Sequence, residues 1–418
     1  MRSFAWDLAF DRAGIVGKTL MIKNTPAARL PVSNTELTVR RKFLTSLLAG
    51  GGAFVLAACG GGGDAASPDA VADRYRRGGG GASNPSGASS SSGASAPASA
   101  SSPASASSPA GASSPTSTQG VLLDTSFGVK GDGTTNDRVA LQRAIDGSIG
   151  QILLITGKSR IDVAGLDLRT NSHVRFASGA SIKLLAHNTD TYEILRLADV
   201  DNVTLESPYL DGSKELNSAK SGEWGMGISI NGATNCTITS PTTINCWGDG
   251  IYINNSDKKS NGYSTNITVN SHHATGCRRQ GVSIISGSGI TFNSPLWENI
   301  GGTAPGAGLD IEPNDNTAVF QNIRIVSPTT NNCAGGGINV YFGFFPGPVN
   351  KTVSISITGH TDTGSPGGSF NVQGLQLNGY VVNGSITSAN PVWKKTGLSL
   401  EDWDKNGPTV TVTNARIG

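Results

Sequence analysis

The chain has 418 residues, of which 15% are charged, and its formal net charge is only +2 with acids and bases interspersed. No strongly basic face is on offer to a nucleic-acid backbone, so nucleic acid is excluded as the expected partner. Aromatic residues make up 6% and glycine is abundant at 56 residues, a composition that suits a narrow core of branched aliphatics and many turns.

The first patterned stretch is VRRKFLTSLLAGGGAFVLAAC, in which Arg40 and Arg41 precede an apolar run that ends in small residues before Cys59. A charged start, an apolar middle and a small-residue end make an export signal. A membrane-spanning helix is a poorer reading, because Gly50, Gly51 and Gly52 interrupt a run already short for a span. Arg40-Arg41-Lys42-Phe43-Leu44 resembles a twin-arginine signal, and Leu56-Ala57-Ala58-Cys59 resembles a bacterial lipoprotein box. The resemblance implies cleavage before Cys59 and a lipid on that cysteine. The expected location is therefore the cell envelope, with a lipid anchor as the sole membrane contact, or the secreted fraction.

Residues 1–59 are thus an export signal and residues 60–120 a linker. Between Gly78 and Gly120 there is no Val, Ile, Leu, Met or Phe, only Gly, Ala, Ser, Pro, Thr, Asn and a Gln. Such a segment cannot repay its ordering entropy. The folded domain is expected over residues 121–418.

From Gly225 onward GMGISI, GDGIYI, RQGVSI, GAGLDI, GGGINV and VQGLQL each place a glycine before an apolar, polar, apolar triplet. Those glycines are Gly227, Gly250, Gly281, Gly308, Gly337 and Gly374, so the period is that of a solenoid coil rather than of a hairpin sandwich. A second short strand recurs inside each period, as in Cys236-Thr237-Ile238-Thr239 and Asn266-Ile267-Thr268-Val269. No amphipathic helices separate these strands, which excludes a doubly wound sheet and leaves a parallel β-helix. In it Ile228, Ile251, Val282, Leu309, Ile338 and Leu375 form one inward column, with Ile230, Ile253, Ile284, Ile311, Val340 and Leu377 as the next.

Cys246, Cys277 and Cys333 each fall four residues before a repeat glycine and are expected to stack as buried thiols. A disulfide between Cys246 and Cys277 is the alternative for an exported protein. Zinc is not expected, since no CxxC or matching His spacing is present.

At the start of the folded region, Phe127-Gly128-Val129-Lys130-Gly131-Asp132-Gly133-Thr134-Thr135-Asn136-Asp137 and the following Val139-Ala140-Leu141-Gln142-Arg143-Ala144-Ile145-Asp146 resemble the opening segment of pectate-lyase-superfamily right-handed β-helix proteins, of the pectate lyase 3 and glycoside hydrolase 28 type. The resemblance implies an all-β, single-stranded right-handed parallel β-helix, with a short helix from about Asp137 to Asp146 capping the first coil. It also implies a polysaccharide partner. Polygalacturonases of this superfamily carry an Asp in an NTDGI segment, then a paired Asp, a His-Gly and an Arg-x-Lys motif. Trp247-Gly248-Asp249-Gly250-Ile251 is similar to the first of these, whereas Arg278-Arg279-Gln280-Gly281 stands where the paired Asp belongs, and the remaining two motifs have no counterpart.

The stretch GAGLDIEPN holds the candidate chemistry. Leu309 and Ile311 point inward, so Asp310 and Glu312 point outward, about 7 Å apart at the backbone, a spacing that suits the paired carboxylates of an inverting glycoside hydrolase. One would act as general acid and the other, ionised, would activate water. Asp249 and Arg279 come from the two preceding coils and are expected at the same groove, where Arg279, helped by Arg278, would bind a sugar carboxylate or steady an enolate. Trp224, Tyr252 and Tyr341 are candidate stacking surfaces for sugar rings. The reading is a polysaccharide-acting glycoside hydrolase with Asp310, Glu312 and Asp249 as its acidic set and no cofactor. The alternatives are a polysaccharide lyase or uronate epimerase, for which calcium would be admissible, and a non-catalytic glycan-binding surface module.

Overall fold

The computed structural model describes residues 120–418, so the export signal with Arg40, Arg41 and Cys59, and the linker up to residue 119, lie outside the described residues. Val121–Leu123 opens a solenoid of three parallel sheets, with 12, 11 and 9 strands. One complete coil runs through Thr234–Thr239 in the first sheet, Thr242–Ile244 in the second and Asp249–Asn254 in the third. This is the parallel β-helix expected from the repeat. The repeat requires at least two strands per coil and the structure has three, the third lying in the second sheet, whose strands are only two to five residues long and too short to carry a pattern of their own.

Corners between the sheets are turned by single residues in the left-handed region. Asn235 and Asn266 have φ of 55°, Ser240 and Ser271 of 49° and 53°, and Asn245 of 50°. Asn tolerates this conformation better than most residues and can bond its stacked neighbour, as Asn266 Nδ2 does to Asn235 Oδ1 at 3.1 Å. The helix Arg138–Gly147 closes the first end, burying Leu141, Ala144 and Ile145, close to the bounds implied by the family resemblance. Asp137, just before it, accepts from the amides of Lys130 and Gly131 at 2.8 and 2.9 Å, and so ties the opening loop to the cap.

Inside, Ile228, Ile251, Val282, Leu309 and Ile338 pair in register, as do Ile230, Ile253, Ile284, Ile311 and Val340. The sixth members differ from expectation. Phe370 and Val372 of the strand Phe370–Gln373 continue the columns, Ser369 stands in the glycine's place, and Gly374 lies beyond the strand with φ of 84°. Leu375 and Leu377 are buried, but not in those columns.

All four described cysteines, Cys236, Cys246, Cys277 and Cys333, are buried and free, with no disulfide between Cys246 and Cys277. Burial pushes the Cys333 thiol up to about 12. Thiolate chemistry is therefore suppressed there.

The core also contains two copies of a polar stack. Trp297 Nε1 donates to His272 Nδ1 at 3.2 Å while His272 Nε2 lies 2.8 Å from Thr243 Oγ1, and Trp393, His360 and Thr330 repeat the arrangement at 3.0 and 2.8 Å. An indole can only donate, so each imidazole is neutral with its proton on Nε2. Burial holds His272 down at about 3 and His360 at about 4. The unfolded state therefore binds the additional protons between about pH 6.5 and 4, and stability contributed by neutral imidazole is lost as pH falls through that window, at about 1.4 kcal/mol per pH unit for each histidine that titrates. Urea unfolding of wild type and of His360→Asn across this range should give a steeper acid-side decline for wild type. Parallel profiles would mean that His360 titrates alike in both states.

Candidate active site

Five successive strands of the third sheet, Trp224–Asn231, Asp249–Asn254, Gln280–Ile284, Ala307–Ile311 and Gly336–Tyr341, place Ser229, Tyr252, Ser283, Asp310 and Asn339 side by side on the outer face. Strict alternation would bury Asp249 along with Ile251. The repeat glycine breaks the alternation, because a Cβ on Gly250 would lie 2.4 Å from Thr243 Oγ1 and 2.6 Å from the Gly281 carbonyl oxygen, both impossibly close. Gly250 and Ile251 thus both face the interior, and Asp249 falls on the outer side. There its Oδ2 accepts from Ser283 Oγ at 2.8 Å and from Arg279 Nη1 at 3.1 Å.

Arg279 is the hub. It is 2% exposed, and besides Asp249 it faces Glu223, with Nε 3.5 Å from Oε2. Gln280 Nε2 donates to Asp310 Oδ2 at 3.0 Å, while Gln280 Oε1 accepts from the Ala307 amide at 2.7 Å, which fixes the orientation of that side chain. Asp310 in turn shares a hydrogen bond with Glu312. Exposure is 0% for Asp249, 1% for Asp310 and 9% for Glu312, so Glu312 is the member of this trio with an outlet to solvent.

The electrostatics follow from that burial. Desolvation lifts Asp249 to about 6 although Arg279 and Ser283 pull the other way. Asp310 is pushed well above the carboxylate range by burial and by the charge of Glu312, and Arg279 offsets only part of this. Burial also works against the charge on Arg279, but the surrounding carboxylates, Asp249 and Glu223 foremost, more than compensate and keep it protonated. At neutral pH the Asp310–Glu312 pair holds one proton, next to a fixed cation and an ionised Asp249. A donor and an acceptor are thus available at one place. The backbone spacing expected for Asp310 and Glu312 does not extend to their carboxyl groups, which meet although the Glu312 amide still bonds the Ile284 carbonyl of the preceding coil at 3.2 Å.

Around this cluster the candidate binding residues divide. Trp224 is 38% exposed and stands edge-on to Tyr252, with ring centres 6.1 Å apart and planes at 76°. Tyr252 is itself buried in a small outer-face apolar patch with Met226 and Ile285, so it supports the rim instead of presenting a ring. Arg278 lies 4.4 Å over the Trp247 ring and donates to the Gly222 carbonyl. Tyr341 packs edge-on against Phe344 one coil beyond Asp310. Glu223, Gln280 and Ser283 are members that sequence reasoning missed. Gln280 carried a signal, since it stands in register with Asp249.

No protein-family profile matches the chain. A Bacillus subtilis (strain 168) protein, "Uncharacterized protein YclG", is 24% identical over 220 residues, which cover 46% of this chain and 38% of that protein's length. Among solved structures, the N-terminal fragment of gene product 12 of bacteriophage Phi29 is similar with a TM-score of 0.54 at 18% identity, over 71% of this chain and 57% of that one. PfbA, a surface adhesin of Streptococcus pneumoniae, gives a TM-score of 0.50 at 12% identity over 71% and 90%. A 1,3-α-1,4-β-D-galactose-4-sulfate-3,6-anhydro-D-galactose-2-sulfate 4 galactohydrolase gives 0.50 at 16% identity over 73% and 89%. At these identities what is shared is the parallel β-solenoid, and the polygalacturonase group is not singled out among its members.

Proposed function

We propose that the domain is a polysaccharide-processing enzyme of the glycoside hydrolase class, working at the outer face of the third sheet. The observation that carries this reading is the Asp310–Glu312 pair, which holds one proton in a nearly dry setting beside ionised Asp249 and Arg279. Burying three carboxyl groups, Asp249, Asp310 and Glu312, beside one guanidinium costs folding free energy, and such a cost is characteristic of sites that use the shifted groups. Glu312, the open end of the pair, passes the proton held on Asp310 to the glycosidic oxygen as the bond to the anomeric carbon breaks. Water adds to that carbon and returns a proton to the carboxylate set, while the negative field of Asp249 steadies the oxocarbenium-like transition state.

The similar β-solenoids include a protein named as a galactohydrolase, a name that fits a glycan-facing sheet. A second reading, a glycan-binding module without turnover, is favoured by the near-complete burial of Asp249 and Asp310. A screen of polysaccharides for new reducing ends separates the two. Product formation supports hydrolysis, whereas retention of a glycan without product supports the binding module. We place the protein in the cell envelope through a lipid on Cys59. Cys59→Ala should abolish incorporation of labelled lipid in cells, and labelling that persists would remove this anchor.

A further inference from the structure

We propose that the outer face of the third sheet takes an uncharged polysaccharide and that polymers of uronic acid are not its substrate. The proposal rests on the glycoside hydrolase reading above and narrows it.

Uronate recognition needs a cation presented to the substrate. The guanidinium groups about this face are already engaged. Arg279 is held by Asp249 and Glu223, Arg278 by the Trp247 ring and the Gly222 carbonyl, and Arg196, farther along the same column, by Asp167 and the Ala164 carbonyl. The expected role of Arg279 as a bidentate clamp for a sugar carboxylate therefore gives way to an internal one, since the side chain is 2% exposed and ion-paired to Asp249 and Glu223 within the protein. With the Asp310–Glu312 pair holding a single proton, Glu223, Asp249 and the pair bring three negative charges against the one positive charge of Arg279. In a site this dry, a further carboxylate would meet strong like-charge repulsion.

A second, independent feature is the floor beyond Asp310. Asn339 and Asn371 follow it in register, with Asn371 Nδ2 donating to Asn339 Oδ1 at 2.9 Å. This is an uncharged amide surface suited to sugar hydroxyls.

The test is affinity gel electrophoresis of the full-length protein at low salt, with reducing-end and unsaturated-product assays run in parallel. Three sets of probes are needed: neutral polymers (β-glucan, galactan, arabinan), anionic ones (polygalacturonate, alginate) and cationic chitosan oligosaccharides. The expected result is retention and cleavage of a neutral polymer at least about tenfold better than either polyuronate, with little dependence on salt. Preferential retention or cleavage of polyuronate or chitosan would overturn the substrate class while leaving the polysaccharide reading intact. Absence of retention and product across all three sets would bring down the polysaccharide reading itself, and this proposal with it.

Discussion

Arg279→Met should cost roughly 3–5 kcal/mol of stability at pH 8, the range for removing one partner of a buried ion pair. The side chain is 2% exposed and its Nη1 lies 3.1 Å from Asp249, which has no exposure at all. Without Arg279 the charge on Asp249 is left with Ser283 as its side-chain partner. The carboxyl will escape part of this cost by taking up a proton, so the loss must depend on pH. In wild type the folded value of about 6 exceeds the ordinary 3.8, the native state binds more protons between those limits, and the contribution of Asp249 to stability declines as pH rises through that window. Removing Arg279 raises the folded value further, so in the variant the decline continues to higher pH. The gap between wild type and variant should therefore be small near pH 5 and widest near pH 8, when read by urea unfolding. Asp249→Asn introduced into Arg279→Met should recover most of the loss, because an amide in the same place carries no charge to strand. A loss below about 1 kcal/mol that is the same at both pH values would show that water reaches these groups and that the cluster is an ordinary surface ion pair.

How far the sequence reveals this arrangement depends on which interactions are local. The inward columns are legible because alternation along a strand and a regular coil period are both one-dimensional. Ile251, Val282, Leu309 and Ile338 needed no knowledge of the third dimension. The signal fails at the sixth coil, where Ser369 replaces the glycine and the loop before it changes the period, so that Gly374 offers a false match. Asp310 and Glu312 are legible as outward acids for the same one-dimensional reason. Their burial is not, because it comes from neighbouring coils. Arg279 reaches back to Asp249 from the turn before its own strand, and Glu223 approaches from the coil before that. Asp249 itself was found through a motif, and its outward position depends on Gly250 facing Thr243, a contact between two sheets that no strand pattern encodes.

Asp310→Asn and Glu312→Gln should each lower turnover at least about a hundredfold on whichever polysaccharide the enzyme cleaves, the lower end for losing a general acid or base. Their effects on stability should differ from their effects on rate. Burial and Glu312 hold the Asp310 carboxyl well above its ordinary value, so it is the protonated form that the fold favours, and ionising it costs stability as pH rises beyond the carboxylate range. An asparagine there keeps the shape, can still accept from Gln280 and can donate to Glu312, and it removes the need to hold a proton. The melting temperature of Asp310→Asn should thus equal or exceed that of wild type at pH 8 even as activity collapses. A purely structural role would lower both together, and wild-type rates in both amide variants would remove the pair from the chemistry. The pH profile provides an independent check, since the site is competent only while Asp249 is ionised and Asp310 holds its proton. Activity should fall on the acid side as Asp249, lifted to about 6, protonates, and on the alkaline side as the Asp310 proton is lost. In Asp310→Asn the residual activity should keep the acid limb and lose the alkaline one, because the group that titrates there has been removed.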